Sequence, residues 1–140
     1  MDRPLIENKL ESLRRCLERV RDKCPPTAAA LSQDLDAQDI LSLNLTRAVQ
    51  LCVDIATHVL ADTAAPAPQS MAESFVRLAE VGVIDNALAG RLRRAVGFRN
   101  VAVHSYRAID WQIVHAIAHT HLEDFTVFAR RVHTHAMRDA

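Results

Sequence analysis

The chain has 140 residues, 49% of them hydrophobic and 24% charged, with a formal net charge of +0 and a pI of about 7.1. That length suits one domain over residues 1-140 with a real apolar core, and the composition excludes a disordered chain. Zero net charge excludes a globally basic nucleic-acid binder, and three cysteines without CxxC spacing exclude a disulfide framework.

No run reaches the roughly 18 consecutive apolar residues of a membrane span. The N-terminal stretch, with Asp2 and Glu7 near its start, does not read as a signal peptide. Cys16, Cys24 and Cys52 read as reduced thiols, two of them at apolar helix positions. The expectation is a soluble, cytoplasmic protein. Ala, Leu and Arg dominate, only three Gly occur, and no long run alternates apolar with polar. The expected class is all-α, a bundle of about five helices, two of them long.

The first helix is expected from Leu5 to Lys23, capped by Asp2 with Pro4 in its first turn. Ile6, Leu10, Leu13, Leu17 and Val20 recur at three- and four-residue steps and form one apolar stripe. Glu11 with Arg15, and Arg14 with Glu18, are spaced for exposed ion pairs. Pro25-Pro26 end the helix.

The second helix is expected from Asp36 to Ala61. Ile40, Leu41, Leu43, Leu45, Val49, Leu51, Cys52, Ile55 and Val59 cover more than one face, so it should be central. Polar residues embedded in it are Asn44, Arg47, Gln50, Asp54 and His58. Steps of three, seven and four keep Asn44, Arg47, Asp54 and His58 on one side. That side lines a cleft or is simply the solvated edge of the helix.

Ala64 to Pro68 reads as a stiff connector. Ser70 and Glu73 form a capping box that opens a third helix, which carries Met71, Phe75, Leu78 and Ala79 inward and stops near Gly82. Asp85 caps a fourth helix, expected to persist to about His104 with a distortion near Gly97. The last helix is expected from Asp110 to Met137, with a core stripe of Val114, Ile117, Leu122, Phe125, Ala129 and Val132. The tail beyond Arg138 is expected to fray.

Arg99-Asn100-Val101-Ala102-Val103-His104-Ser105-Tyr106 concentrates the chemistry. Between Asp85 and Asp110 there is no acidic residue, while Arg91, Arg93, Arg94, Arg99 and Arg107 all fall there. An always-charged guanidinium fork fits a phosphate, and an imidazole gives or takes a proton near neutral pH. The pair suits RNA cleavage by the ribose 2′-hydroxyl. His104 would serve as base or acid, and Arg99 would stabilise the extra charge on the phosphorane. Five residues turn an ideal helix to an offset of about 140°, so His104 must leave the helix to meet Arg99. A second copy in a symmetric dimer could fill the remaining proton role. The structural alternative is an Arg and a His satisfying carbonyls at a helix end.

The stretch resembles the R-x4-H-x-Y signature of HepT-like toxins, a branch of the HEPN superfamily of helical ribonucleases. The similarity extends over Asp39-Ile40 to Asp54-Ile55-Ala56, Ser74-Phe75 to Gly82-Val83-Ile84, Val96 to Tyr106 and the Asp110-Trp111 helix start. It thus covers most of the chain from about Leu35. It implies a HEPN-like bundle and a toxin of a type VII-like toxin–antitoxin system, with Arg99 and His104 catalytic in metal-independent RNA cleavage and Asn100 positioning them. It implies a cleft between two protomers of a homodimer, within a larger hetero-oligomer. It also implies an MntA-type nucleotidyltransferase antitoxin that transfers AMP to Tyr106. A phosphate added two residues from His104 would then compete with RNA phosphate for Arg99. Arg94 and Arg107 are further candidates for RNA-phosphate contacts. No cofactor is expected.

Other constellations are weaker. His115 and His119 at i,i+4, near His121 and Glu123, have zinc spacing but no HExxH or Cys partner. His133 and His135 read as solvent-facing. Trp111 reads as a core or interface anchor. Asp54 and His58 are spaced as a pair without a nucleophile. Two rival readings stay open: a non-catalytic helical module that holds a nucleotidyltransferase or nucleic acid, and a purely structural subunit.

Overall fold

The computed structural model describes residues 1–138 and is all-α among them. Helix α1 spans Arg3–Lys23 and α2 Ala28–Leu31. They are followed by α3 (Leu35–Leu60), α4 (Met71–Glu80) and α5 (Asn86–His104). A 3-10 turn over Tyr106–Ala108 leads into α6 (Trp111–His119) and α7 (Glu123–Arg138). Among the described residues no helix is long and apolar enough to cross a membrane. The expected fraying beyond Arg138 falls outside the described residues.

Local signals set most boundaries. Asp2 accepts from the Leu5 amide at 3.1 Å, Asp34 from Ala37 at 3.0 Å and Asp85 from Leu88 at 2.7 Å. Each satisfies an orphan amide of a first turn and contributes about 1 kcal/mol. Ser70 accepts from the Glu73 amide at 3.1 Å, and Glu73 reaches back to the Gln69 amide rather than to Ser70. Gly82 ends the turn after α4 at φ 84°, where the Val83 amide returns to Leu78 O at 3.0 Å. Only glycine takes that left-handed position without strain.

Helix α3 is central, as its two-sided apolar pattern requires. Leu41, Leu45, Ala48, Val49, Cys52, Ile55, Ala56 and Val59 are fully enclosed. Each large buried apolar side chain contributes about 1.5–3 kcal/mol, so this helix outweighs any cap in holding the fold together. Helix α1 lies along α3, α4 and α5 pair and pack on α3, and α7 packs against α1 and α5. Phe75 of α4 meets Phe128 of α7 edge to face, with centroids 5.9 Å apart. The predicted pairs Arg14–Glu18 (2.7 Å) and Arg15–Glu11 (3.5 Å) form on the exposed face of α1.

Three expectations about the helices change. The four-residue α2, capped by Thr27, is too short to carry a periodic signal. Helix α5 runs through Gly97 without interruption, and nothing crowds that position. The single last helix is two. At Thr120 to Leu122 the chain leaves α-helical register, and the His121 amide bonds Ala116 O at 3.1 Å. Three poor helix formers, His119, Thr120 and His121, precede Leu122, which turns into the core. Burial of Leu122 outweighs continuity of the helix. Among the described residues the bundle therefore has seven α-helices rather than about five.

Candidate active site

The site begins where α5 ends. His104 is its last residue, and the Ser105 amide closes the last turn on Val101 O at 2.8 Å. Ser105 then leaves helical geometry at φ −149°, ψ 58°. A tight turn follows, with Ala108 bonded to Ser105 O and Ile109 to Tyr106 O. Buried Ile109 anchors it, and Asp110 caps α6 through the Gln112 amide at 2.9 Å. His104, Ser105, Tyr106 and Arg107 all face solvent.

Arg99 lies one and a half turns earlier. Its Nη2 donates to Gln50 Oε1 of α3 at 3.4 Å, and its Nη1 to Asn100 Oδ1 at 3.2 Å. Gln50 is itself held, donating from Nε2 to Asp54 Oδ1 at 3.0 Å, and Asp54 pairs with Lys9 of α1 at 3.7 Å. A relay therefore orients the guanidinium from two other helices. Arg99 Nε is enclosed and finds no acceptor among the described residues. An unpaired buried donor costs on the order of 1–3 kcal/mol, so its persistence calls for an explanation.

Tyr106 turns the other way along α3. Its hydroxyl donates to Asp39 Oδ1 at 2.7 Å, and its ring meets Trp111 edge to face at 6.0 Å. Burial of the phenol, then the hydrogen bond to Asp39 and the carboxylate's charge, push its pKa up to about 12. Trp111 is partly buried against the core, the anchoring role expected of it.

The sequence-predicted residues are not all brought together. Arg99 and His104 share no hydrogen bond, because His104 remains on the helix about 140° around from Arg99. The convergence that one chain would need does not occur. Asn100 does contact Arg99. Arg94 lies elsewhere, beside Arg91, Ile113 and His121 in a cleft between α5, α6 and α7. Arg107 is exposed on the 3-10 turn. The Tyr106 hydroxyl is not beside Arg99 either. It rests on Asp39 while Arg99 rests on Gln50, three turns or about 16 Å away along α3.

What links the two is a groove of about 740 Å³ between α1 and α3. Asn44, Arg47 and Asp54 line it, as do Asp39 and Gln50; His58 does not. The cleft reading of that α3 face holds for three of the four residues named from sequence. Asn44 spends its amide on Ile40 O of its own helix at 2.8 Å. Asp39 was missed as a site residue, and Gln50, though named among the embedded polar residues of α3, was not placed on the cleft side. The one available signal was their separation of eleven residues, which returns to the same face within about 20°.

The zinc-spaced histidines are otherwise engaged. His115 Nε2 lies 2.8 Å from Pro25 O, which requires that nitrogen to donate, and its ring stacks on His119 at 5.1 Å. Burial raises the pKa of all three thiols, which are free.

Comparison with known proteins agrees with this architecture. The family model of HepT-like ribonucleases matches residues 13–132, and the chain belongs to that family. Among its relatives is the mRNA nuclease HepT of Shewanella oneidensis, 36% identical over 124 residues, spanning 89% of this chain and 92% of that one. A solved structure of the tri-AMPylated Shewanella oneidensis HEPN toxin in complex with MNT antitoxin superposes with a TM-score of 0.88. It is 34% identical and covers 96% of this chain and 99% of that one. A toxin–antitoxin crystal structure with AMP-PNP gives a TM-score of 0.85 at 34% identity, covering 94% and 99%. The cytosolic Bacillus subtilis protein YutE, 15% identical with a TM-score of 0.86, shares the fold.

Proposed function

We propose that this chain is the toxin of a toxin–antitoxin pair, an endoribonuclease that cuts RNA through Arg99 and His104. The observation that carries the reading is Arg99 itself. It is held by Gln50 and Asn100, retains an unpaired Nε, and lies five residues from an exposed imidazole at the end of α5. Its Nε is enclosed, so a phosphate oxygen would bind at the Nη protons that Gln50 and Asn100 leave unused. The chemistry follows from the side chains. A base takes the 2′-hydroxyl proton, the 2′-oxygen attacks the adjacent phosphorus, and an acid protonates the departing 5′-oxygen. Arg99 stabilises the charge that develops on the phosphorane.

One chain offers one imidazole to two proton transfers, and its Arg99 and His104 point apart. We infer a homodimer in which two copies of the motif flank one cleft, with both histidines available. Val101 and Val103, exposed on the last turns of α5, suit such a contact. We infer a cytoplasmic location and regulation by an MNT-type nucleotidyltransferase that transfers AMP to Tyr106. The group would enter the α1–α3 groove at Asp39, obstructing RNA by occupying the groove rather than by pairing with Arg99.

The test is the chemistry of the cut. Cleavage of single-stranded RNA should leave a 2′,3′-cyclic phosphate and a 5′-hydroxyl, and a single 2′-deoxy nucleotide at the cut site should block it. Cleavage of that deoxy substrate, or products ending in 3′-hydroxyl and 5′-phosphate, would reject the mechanism. RNA bound but never cut by a folded protein would favour a non-catalytic module.

A further inference from the structure

The α1–α3 groove carries more than the Arg99 relay. Arg15 and Arg19 stand one turn apart on α1, and Arg47 faces them from α3 beside Cys16. The groove also contains two carboxylates, and both are engaged: Asp39 by the Tyr106 hydroxyl, and Asp54 by Gln50 and Lys9. Arg19 and Arg47 make no ion pair among the described residues, and Arg15 makes only the long, exposed one to Glu11. The acids are therefore spoken for and the cations are left for an outside partner. The floor between them is apolar, with Ile40, Leu51 and half-exposed Leu43. Gln50, which holds Arg99, lines the groove between Arg47 and Asp54.

Cationic rims over an apolar floor match a single-stranded polynucleotide, whose phosphates seek arginine and whose bases shed water onto apolar surface. We propose that this groove is the track by which RNA reaches Arg99, with Arg15, Arg19 and Arg47 binding backbone phosphates. The proposal rests on the RNA-cleaving reading above and adds to it a path for the strand. Among the described residues no aromatic ring lines the groove, so the track holds backbone and tolerates sequence. It is local positive charge on a chain of zero net charge.

The experiment is a salt titration of binding. A 5′-labelled single-stranded 12-nucleotide uridine RNA is titrated by fluorescence anisotropy with the full chain carrying His104→Ala, so that it stays uncut. Each of Arg19→Gln and Arg47→Gln should weaken binding several-fold at 100 mM salt. Removing one arginine–phosphate pair should also make the plot of log K against log salt shallower by about 0.7. Arg130→Gln, on α7 and outside the groove, should change neither. Unchanged affinity and slope in both groove variants, while the parent binds RNA, would overturn the track and leave the ribonuclease reading standing. A parent that does not bind RNA, together with a wild-type chain that does not cut it, would overturn both. Sedimentation velocity closes the remaining route. If the variants dissociate a dimer, and affinity returns once protein concentration restores it, the face is an interface between copies and the track is wrong.

Discussion

The Tyr106 hydroxyl donates to the Asp39 carboxylate at 2.7 Å, joining the turn after α5 to the first turns of α3 across 67 residues. A phenol held by a carboxylate resists ionisation, since the phenolate would sit beside a like charge. Tyr106 is the chain's one tyrosine, so its ionisation can be followed alone by ultraviolet absorbance. The folded protein should show a phenol midpoint near 12 rather than 10. Asp39→Asn, which keeps an acceptor oxygen and removes the charge, should move the midpoint back toward 10, with the part due to burial remaining. The sign for stability follows. The folded pKa is raised, so this contribution is complete below pH 10 and is lost as pH rises through about 12. An unshifted phenol in folded protein would contradict the pairing.

Arg99 should be costly to stability and necessary to activity. Replacing it with Met retains the stem and removes an enclosed donor without an acceptor. Thermal unfolding should therefore show an unchanged or slightly raised Tm, by up to about 1 kcal/mol of stability, while RNA cleavage disappears. A large loss of stability would make Arg99 a structural residue.

Gln50 is a positioning residue and should behave as one. Gln50→Ala removes the hold on the guanidinium and breaks the relay to Asp54. A fall in kcat/KM on the order of tenfold is expected, about 1.4 kcal/mol. Gln50→Glu, which restores an acceptor for Arg99, should recover part of it. Equal losses in the two variants would argue against orientation through the acceptor.

Gly82 tests the account of the fold apart from the site. Its φ of 84° closes the turn after α4, and a Cβ there would meet nothing within 4 Å. The cost of Gly82→Ala is thus conformational, about 1 kcal/mol, or roughly 3–4 °C in Tm. A neutral substitution would mean that the turn relaxes.

What could be read in the sequence was local. Asp2, Ser70, Asp85 and Asp110 announce helix starts because a cap acts within three residues. The two-sided apolar pattern of α3 announces burial because neighbours on both flanks demand it. The break at Thr120 to Leu122 was hidden, since it depends on where Leu122 can reach the core after α6 has docked on α2 and α3. Arg99, His104 and Tyr106 stood out by residue type. Gln50 and Asp39 did not, because each acquires meaning only through a partner 49 or 67 residues away. The same long-range geometry moved Tyr106 away from Arg99, a separation that proximity in sequence had concealed.

The most direct test compares wild type with His104→Ala on single-stranded RNA in the presence of EDTA, with both proteins shown by circular dichroism to be folded. His104 is exposed and its side chain forms no hydrogen bond among the described residues, so its loss should leave the fold intact. Wild type should cut and His104→Ala should not. Undiminished cutting by the variant would contradict the assignment of proton transfer to His104, and with it the account of this site.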